Sequence, residues 1–444
     1  MTSGYRIIRH SDGAATVVTR DGLVHARLEA LFCRLQAQST YYRAQIAATG
    51  IGSDDPIALL GALPETNKAI YRTTLVPETL AALGDASFVT DFSSGSSSRP
   101  VLRFCRMADD LSEQETTEQA FRRAGIREGD RLVLMDVGAA QIHDFYARAA
   151  RNLGAIDITY LHLTRDLDAA LGALGRLRPS VLLTIPTLLV RAASQFDRFW
   201  PRSGCPLRCL ISTGEAMPTS LRLAAKQAWF CRVMSLYGTT ETGVVASECV
   251  CEDGHHVDVA AHVLTVRAPH WIDAYTVEGE LLITTPHVYT HSVVKYAVGD
   301  VVRISVRSCG CGEPTPRLWH LGREQEEFVF AGEKFAYSMI LGALQKAVSD
   351  LHALTLEIED VAAGHEQVVM RAILPEAFRP RAHELLAVLR EGIFEIDSLV
   401  RFGLVRLEID FRPPSEEAGR KRRHVIDKRR FFAEMPNRSP ILQL

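Results

Sequence analysis

The sequence predicts an α/β protein: a large N-terminal domain with a doubly wound, mostly parallel sheet and an antiparallel subdomain, then a small mobile α+β C-terminal domain. Three observations carry this. Apolar strand-like runs alternate with helical runs from Arg131 to Thr213, shorter alternating runs fill Val257 to Ile304, and strands with interposed helix return after Gly322. At 444 residues the chain is also too long for one core.

Each element follows in order. Residues 24–50 place Leu28, Leu31, Leu35 and Ile46 at helical spacing, so the chain opens with helix. After a serine-rich stretch at 93–98, "RLVLMDV" reads as a buried strand, "IHDFYARAARNLGA" as helix, "IDITYLHL" as strand and "DLDAALGALGRL" as helix. "SVLLTI", "TLLVRAASQF" and "RCLIST" continue as strand, helix and strand, an alternation that implies right-handed crossovers and a parallel sheet. Such sheets bind ligands beyond the carboxyl ends of their strands, so the turns after Thr184-Ile185-Pro186 and Ser212-Thr213-Gly214-Glu215 belong near a site. "HVLTVRA" and "GELLITTP" then alternate as half-buried antiparallel strands. Past Gly322, "LTLEIEDV", "QVVMRAIL", "HELLAVLREGIF" and "VRLEIDF" make the small unit, with the boundary in the charged stretch Arg323–Glu327. The expected domains are residues 1–322, including an antiparallel subdomain at about 247–320, and residues 323–444.

Composition narrows the classes. With 47% hydrophobic and 23% charged residues the chain is an ordinary globular protein, and a net charge of −3 argues against nucleic-acid binding. "MTSGYRIIRHSDG" lacks an apolar leader, and no apolar run approaches a bilayer span, so no membrane association is expected and the cytoplasm is the expected compartment. Nine cysteines without a secretory leader read as thiols or metal ligands rather than disulfides.

The chemistry concentrates in a few stretches. Ser93-Ser94-Gly95-Ser96-Ser97-Ser98-Arg99 offers hydroxyls, backbone N–H groups and a forked cation, which suit a loop around a polyphosphate; on its own it also reads as a surface linker. Downstream come Tyr237-Gly238-Thr239-Thr240-Glu241-Thr242, then Gly299-Asp300, Gly322-Arg323 and Lys421. In that order these stretches resemble the AMP-forming adenylate ligases. Within that superfamily "STYYRAQIAATGI", "LISTGEAMP", "SLYGTTETG", "KYAVGDVVRI", "LGREQEEFVFAGEKF" and "RKRRHVIDKR" are most similar to the phenylacetate–CoA ligase type, nearly end to end.

The resemblance implies roles. ATP would be held by Ser93, Ser94, Gly95, Ser96, Ser97 and Arg99 on its phosphates, by Gly214, Glu215, Tyr237, Gly238 and Thr239 around the adenine, and by Asp300 and Arg323 at the ribose. Thr240 would donate to the α-phosphate, Glu241 would ligate Mg2+, and Lys421 would bridge the substrate carboxylate and the α-phosphate. Glu326 would be the hinge of the rotating C-terminal domain, and Val137, Gly138, His143, Asp144 and Ile185 would line the acyl pocket. His143 and Asp144 are either caps at a helix start or contacts to a polar substituent on a small aromatic acid.

Cys249, Cys251, His255, His256, Cys309 and Cys311 form a second constellation that meets the ligand demands of tetrahedral zinc, the alternative being incidental free thiols. Some relatives of the phenylacetate–CoA ligase type carry zinc here, and the resemblance falls on Cys249, His256, Cys309 and Cys311 as a structural site. The implied reaction converts a small carboxylic acid and ATP to an acyl adenylate and passes the acyl group to CoA. Ser98-Arg99 in place of Gly-Lys, and Ala331 in place of a basic residue, depart from the family. A carrier-protein thiol or another nucleophile as acceptor therefore stays open, as do a homodimer and a catalytically weak, zinc-stapled binding protein.

Overall fold

A computed structural model describes residues 4–92, 101–135, 140–161, 167–186, 206–214, 217, 219–229, 231–323, 327–330, 333–348, 351, 354–360, 368–412 and 425–427. Its dominant feature is one mixed sheet of 13 strands. Five of these, Arg131–Met135, Asp157–Leu161, Val181–Thr184, Cys209–Ser212 and Arg232–Thr239, are parallel. Their apolar runs, such as Val181–Thr184 with every residue buried, match strands covered on both faces. Arg131–Met135 pairs with both Asp157–Leu161 and Val181–Thr184, so the chain goes first to one side of it and then crosses to the other, the reversal of strand order beside which such sheets bind ligands.

Arg232–Thr239 is the seam. It pairs parallel with Cys209–Ser212 on one side and antiparallel with Gly243–Glu248 on the other. Beyond it the antiparallel half runs through His255–Val257, Arg317–Arg323, Tyr296–Ser305, Thr276–Thr284 and Val263–Asp273 to the N-terminal hairpin Tyr5–Arg9 and Ala15–Thr19. Val245, Val257, Leu264, Val277, Leu281, Val302, Ile304 and Leu318 fill that half's core.

The helix expected over residues 24–50 is two helices, Leu23–Gln38 and Thr40–Thr49. Ser39 is extended and its hydroxyl accepts from the Tyr42 N–H, capping the second helix and breaking the run.

Among the described residues after Arg323, a hairpin of Glu327–Phe330 and Glu333–Ala336 leads into a four-stranded sheet ordered Val405–Arg412, Val368–Pro375, Thr355–Asp360, Val425–Asp427. Helices Tyr337–Ala347, Ala382–Gly392 and Phe394–Arg401 contribute Ile340, Leu344, Leu385, Leu389 and Ile396 to a separate apolar core with Leu356, Met370 and Val405 from the strands. The predicted small α+β unit is therefore present. No described helix is long and apolar enough to cross a membrane.

Candidate active site and metal centre

The seam strand ends in a tight turn. The Thr242 N–H donates to the Thr239 carbonyl at 3.2 Å, the two threonine hydroxyls lie 3.0 Å apart, and the chain returns through Gly243 at φ +71°. Gly238 lies so close to the returning strand that any Cβ there would run into the Gly243 carbonyl oxygen. This turn carries Glu241, which is buried, and its Oε1 accepts the Tyr296 hydroxyl at 2.7 Å. Burial and the Glu241 charge push the Tyr296 hydroxyl far above its ordinary value, so it remains a donor.

Two further contacts fix the turn. His262 Nε2–H donates to the Thr242 carbonyl at 2.9 Å, which sets the His262 tautomer. Behind Gly243 lies the Glu113 carboxylate, ion-paired with Arg103, and both side chains are buried. Around this pair His291 is stacked on Tyr71 at 4.5 Å and His287 lies 4.5 Å from His262. Burial, reinforced by Arg103, lowers all three histidines, His291 to about 3, so they are neutral.

A second carboxylate stands on the antiparallel strand Tyr296–Ser305. Asp300 is buried after Gly299, whose φ is +80°, and its backbone partner across the sheet is Arg323. Asp300 Oδ2 accepts the Tyr237 hydroxyl at 2.6 Å, and His320 Nε2 lies 3.4 Å from Oδ1. Tyr237 is thus tied to Asp300, joining the end of the seam strand to the Tyr296–Ser305 strand. Nearby in the fold, Gly214 turns at φ +77° with its open side 3.4 Å from Ile185 Cγ2, so the two strand-end turns expected near the site meet.

The structure therefore brings Tyr237, Gly238, Thr239, Thr240, Glu241 and Asp300 to one end of the seam and sets Gly214 against Ile185. Ser93, Ser94, Gly95, Ser96, Ser97, Arg99, Val137, Gly138, Glu215, Glu326 and Lys421 lie outside the described residues. Arg323 is placed by its backbone in the Arg317–Arg323 strand, and His143 by its backbone in the helix Ala140–Asn152. That helix begins before His143 and Asp144, so neither caps its start. Asp144 faces solvent, with its carboxylate 3.6 Å from Arg148 one turn on, and no longer suits a sealed acyl pocket. Sequence reasoning passed over Tyr296, His320 and His262. Tyr296 stands four residues before Asp300 in the same strand, but a register shift and Gly299 at φ +80° interrupt the pleat between them, so alternation gives no signal for it, and the histidines carry none either.

The metal-ligand constellation closes as a group. One donor atom each from Cys249, His256, Cys309 and Cys311 lie within 4.8 Å of one another. Cys249 Sγ and Cys309 Sγ are 3.7 Å apart, and Cys311 Sγ is 3.4 Å from His256 Nε2. A tetrahedron with Zn–S of about 2.3 Å and Zn–N of about 2.0 Å has edges of roughly 3.5–3.8 Å, so this donor set fits zinc. Burial, helped by Arg123, holds His256 down to about 4, leaving it in the neutral form that ligates a metal. Its Nδ1 lies 2.9 Å from the Thr315 hydroxyl, which lies 3.4 Å from Glu313 Oε1, itself 3.1 Å from Arg123 Nη2. His255, beside it, points elsewhere: its Nε2 is 2.7 Å from the Ser235 hydroxyl.

A doubly wound parallel half, an antiparallel half carrying two buried carboxylates at the seam, and a small separate α+β unit together make the adenylate-forming ligase fold. The family model of the AMP-binding enzymes matches residues 153–290, which spans four of the five parallel strands, the Glu241 turn and the first antiparallel strands. No curated protein matches the chain in sequence. Among solved structures, 2-hydroxyisobutyryl-CoA ligase in its thioesterification state is similar with a TM-score of 0.70 at 19% identity, over 93% of this chain and 90% of that one. The amide bond synthetase McbA from Marinactinospora thermotolerans is similar with a TM-score of 0.52 at 15% identity, over 94% and 95%. Malonyl-CoA ligase is similar with a TM-score of 0.50 at 16% identity, over 73% and 71%.

Proposed function

We propose that the protein is an ATP-dependent, AMP-forming carboxylate ligase that activates a small aromatic acid as its acyl adenylate and transfers the acyl group to CoA. The observation that carries the reading is the pair of pre-oriented buried carboxylates at the seam, Glu241 held by Tyr296 and Asp300 held by Tyr237. Asp300 is a bidentate acceptor suited to two ribose hydroxyls, while Glu241 is a hard oxygen donor for the Mg2+ that accompanies ATP. Thr240, Gly214 and Glu215 fall to the α-phosphate and the adenine, and Arg323 to the ribose. Ser93 to Ser97 and Arg99 would wrap the β- and γ-phosphates. Lys421, brought in by the C-terminal domain turning about Glu326, would stabilise charge where the carboxylate meets the α-phosphorus.

These roles would be exercised beyond the strand ends with water excluded, where fixed dipoles and charges act strongly. His143 is the residue assigned to a hydroxyl or amino substituent on the acid. Cys249, His256, Cys309 and Cys311 would hold one structural zinc, which would clip the antiparallel half together and take no part in the chemistry.

Pyrophosphate exchange across aromatic and aliphatic acids tests the reading. Wild-type protein should exchange best with a small substituted aromatic acid, and Lys421→Ala should lower that rate about 100-fold or more while ATP still binds. Exchange with no acid at all would leave a binding protein. A panel of CoA, amines and carrier-protein thiols then identifies the acceptor.

A further inference from the structure

We infer that Cys251 is a fifth donor of the metal centre, an exposed thiol that captures the incoming ion and can stand in for His256. The inference rests on the proposed zinc. Cys251 lies outside the four-donor set, and it is the exposed member of the two Cys-x-Cys turns, whereas Cys249 and Cys309 are buried and Cys311 is half-buried. Its N–H donates to Cys249 Sγ at 3.4 Å. A Cβ at Gly310 would stand 3.5 Å from Cys251 Sγ, so this thiol lies against the opposite turn, beside the glycine between Cys309 and Cys311.

A tetrahedral zinc takes four ligands, and here a fifth, exposed thiol stands at the edge of the four-donor group. The excess has a consequence for loading. His256 is fully buried on the Thr315 hydroxyl and Cys249 sits under the surface, so an ion arriving from solvent meets Cys251 first. As the ion moves inward a thiolate bond to Cys251 is exchanged for the His256 Nε2 bond, and the Cys251 sulfur takes back a proton; no electron transfer is involved. If the imidazole is removed, Cys251 closes the coordination as the fourth thiolate.

Full-length protein is stripped with a chelator and reloaded with zinc or with Co2+, whose thiolate charge-transfer band counts sulfur ligands. Wild-type should take up one ion. His256→Ala should keep its ion, with the Co2+ band gaining about a third in intensity as four thiolates replace three. His256→Ala combined with Cys251→Ser should lose it. Cys251→Ser alone should bind the ion to the same final stoichiometry but reload more slowly, a measurement that stands even if the His256 variants fold poorly. Metal-free His256→Ala together with Cys251→Ser reloading at the wild-type rate would overturn the inference. A wild-type protein that binds no metal would overturn the zinc reading itself, and the two failures are distinct.

Discussion

The two halves of the chain hold their cores by different means. Up to Arg323 the protein buries charge and imidazole throughout: Arg103, Asp109, Glu113, Glu241, Asp300, Lys295, His262, His287 and His291 are all buried. After it, among the described residues, Glu357 is the one buried charged side chain, with Arg371 at 3.7 Å and Arg412 at 3.5 Å. The rest of that unit's interior is apolar, and its other ion pairs lie along the sheet strands and the helices outside that core. Buried polar groups must be paired to be tolerated, so the larger region gains pre-oriented groups at the seam and becomes sensitive to anything that removes a partner. The smaller unit resembles an ordinary folded module whose stability follows packed volume.

That contrast is sharpest at Glu113. Glu113→Ala leaves Arg103 buried without its carboxylate and should cost about 3–5 kcal/mol in denaturant unfolding, with the Glu241 turn losing its support. A loss under about 1 kcal/mol would mean that water reaches Arg103, and the contrast would fail there. In the small unit Leu344→Ala should cost about 2–5 kcal/mol through cavity formation, yet leave metal content unchanged. If metal is lost as well, the two regions unfold as one.

Acid should separate the regions further. His262, His287 and His291 have folded values below the unfolded 6.5, so between 6.5 and the lowered values the unfolded chain binds more protons and stability falls as pH falls. For His291 that window runs from 6.5 down to about 3, and each such group steepens the loss by about 1.4 kcal/mol per pH unit within its window. Unfolding curves followed from pH 7 to pH 4 should show this slope flatten in His291→Phe. An unchanged slope would assign the acid sensitivity to carboxylates. The smallest effect belongs to an exposed pair: Arg390→Ala, which parts from Asp397 at 2.9 Å, should cost about 1 kcal/mol or less and shrink with salt.

The sequence made the parallel half legible because strands buried on both faces are continuous apolar runs, as in "VLLT"; in the antiparallel half, Val263–Val266 and Leu281–Thr284 were expected to alternate but are buried at successive positions. It did not show the break at Ser39, since a hydroxyl inside a helical pattern becomes a cap only once the chain has turned. At the site, Glu241 and Asp300 were visible as motif positions. Their partners were not: Tyr296 reaches Glu241 across 55 residues and His262 reaches Thr242 across 20, pairings that exist only after the strands have found their register. The same holds for the cysteines, whose types suggested a metal while the 3.7 Å spacing that admits one came from folding.

The helix Met107–Ala124 touches three places that the chain visits far apart. Asp109 accepts from the Tyr289 and Thr290 N–H groups, Glu113 meets Arg103 behind Gly243, and Arg123 donates to Ser247 Oγ at 3.2 Å and Glu313 Oε1 at 3.1 Å. From Asp109 to Arg123 the helix rises about 21 Å, so it works as a ruler with three fixed marks. A ruler forgives changes of material more readily than changes of length. One residue inserted between Glu113 and Arg123 would swing the far mark through about 100° and lift it away from Glu313 and the cysteine cluster while the near marks stay seated. A chain of this fold with a longer or shorter helix here would have to rebuild the connection between the Glu241 turn and the cysteine cluster.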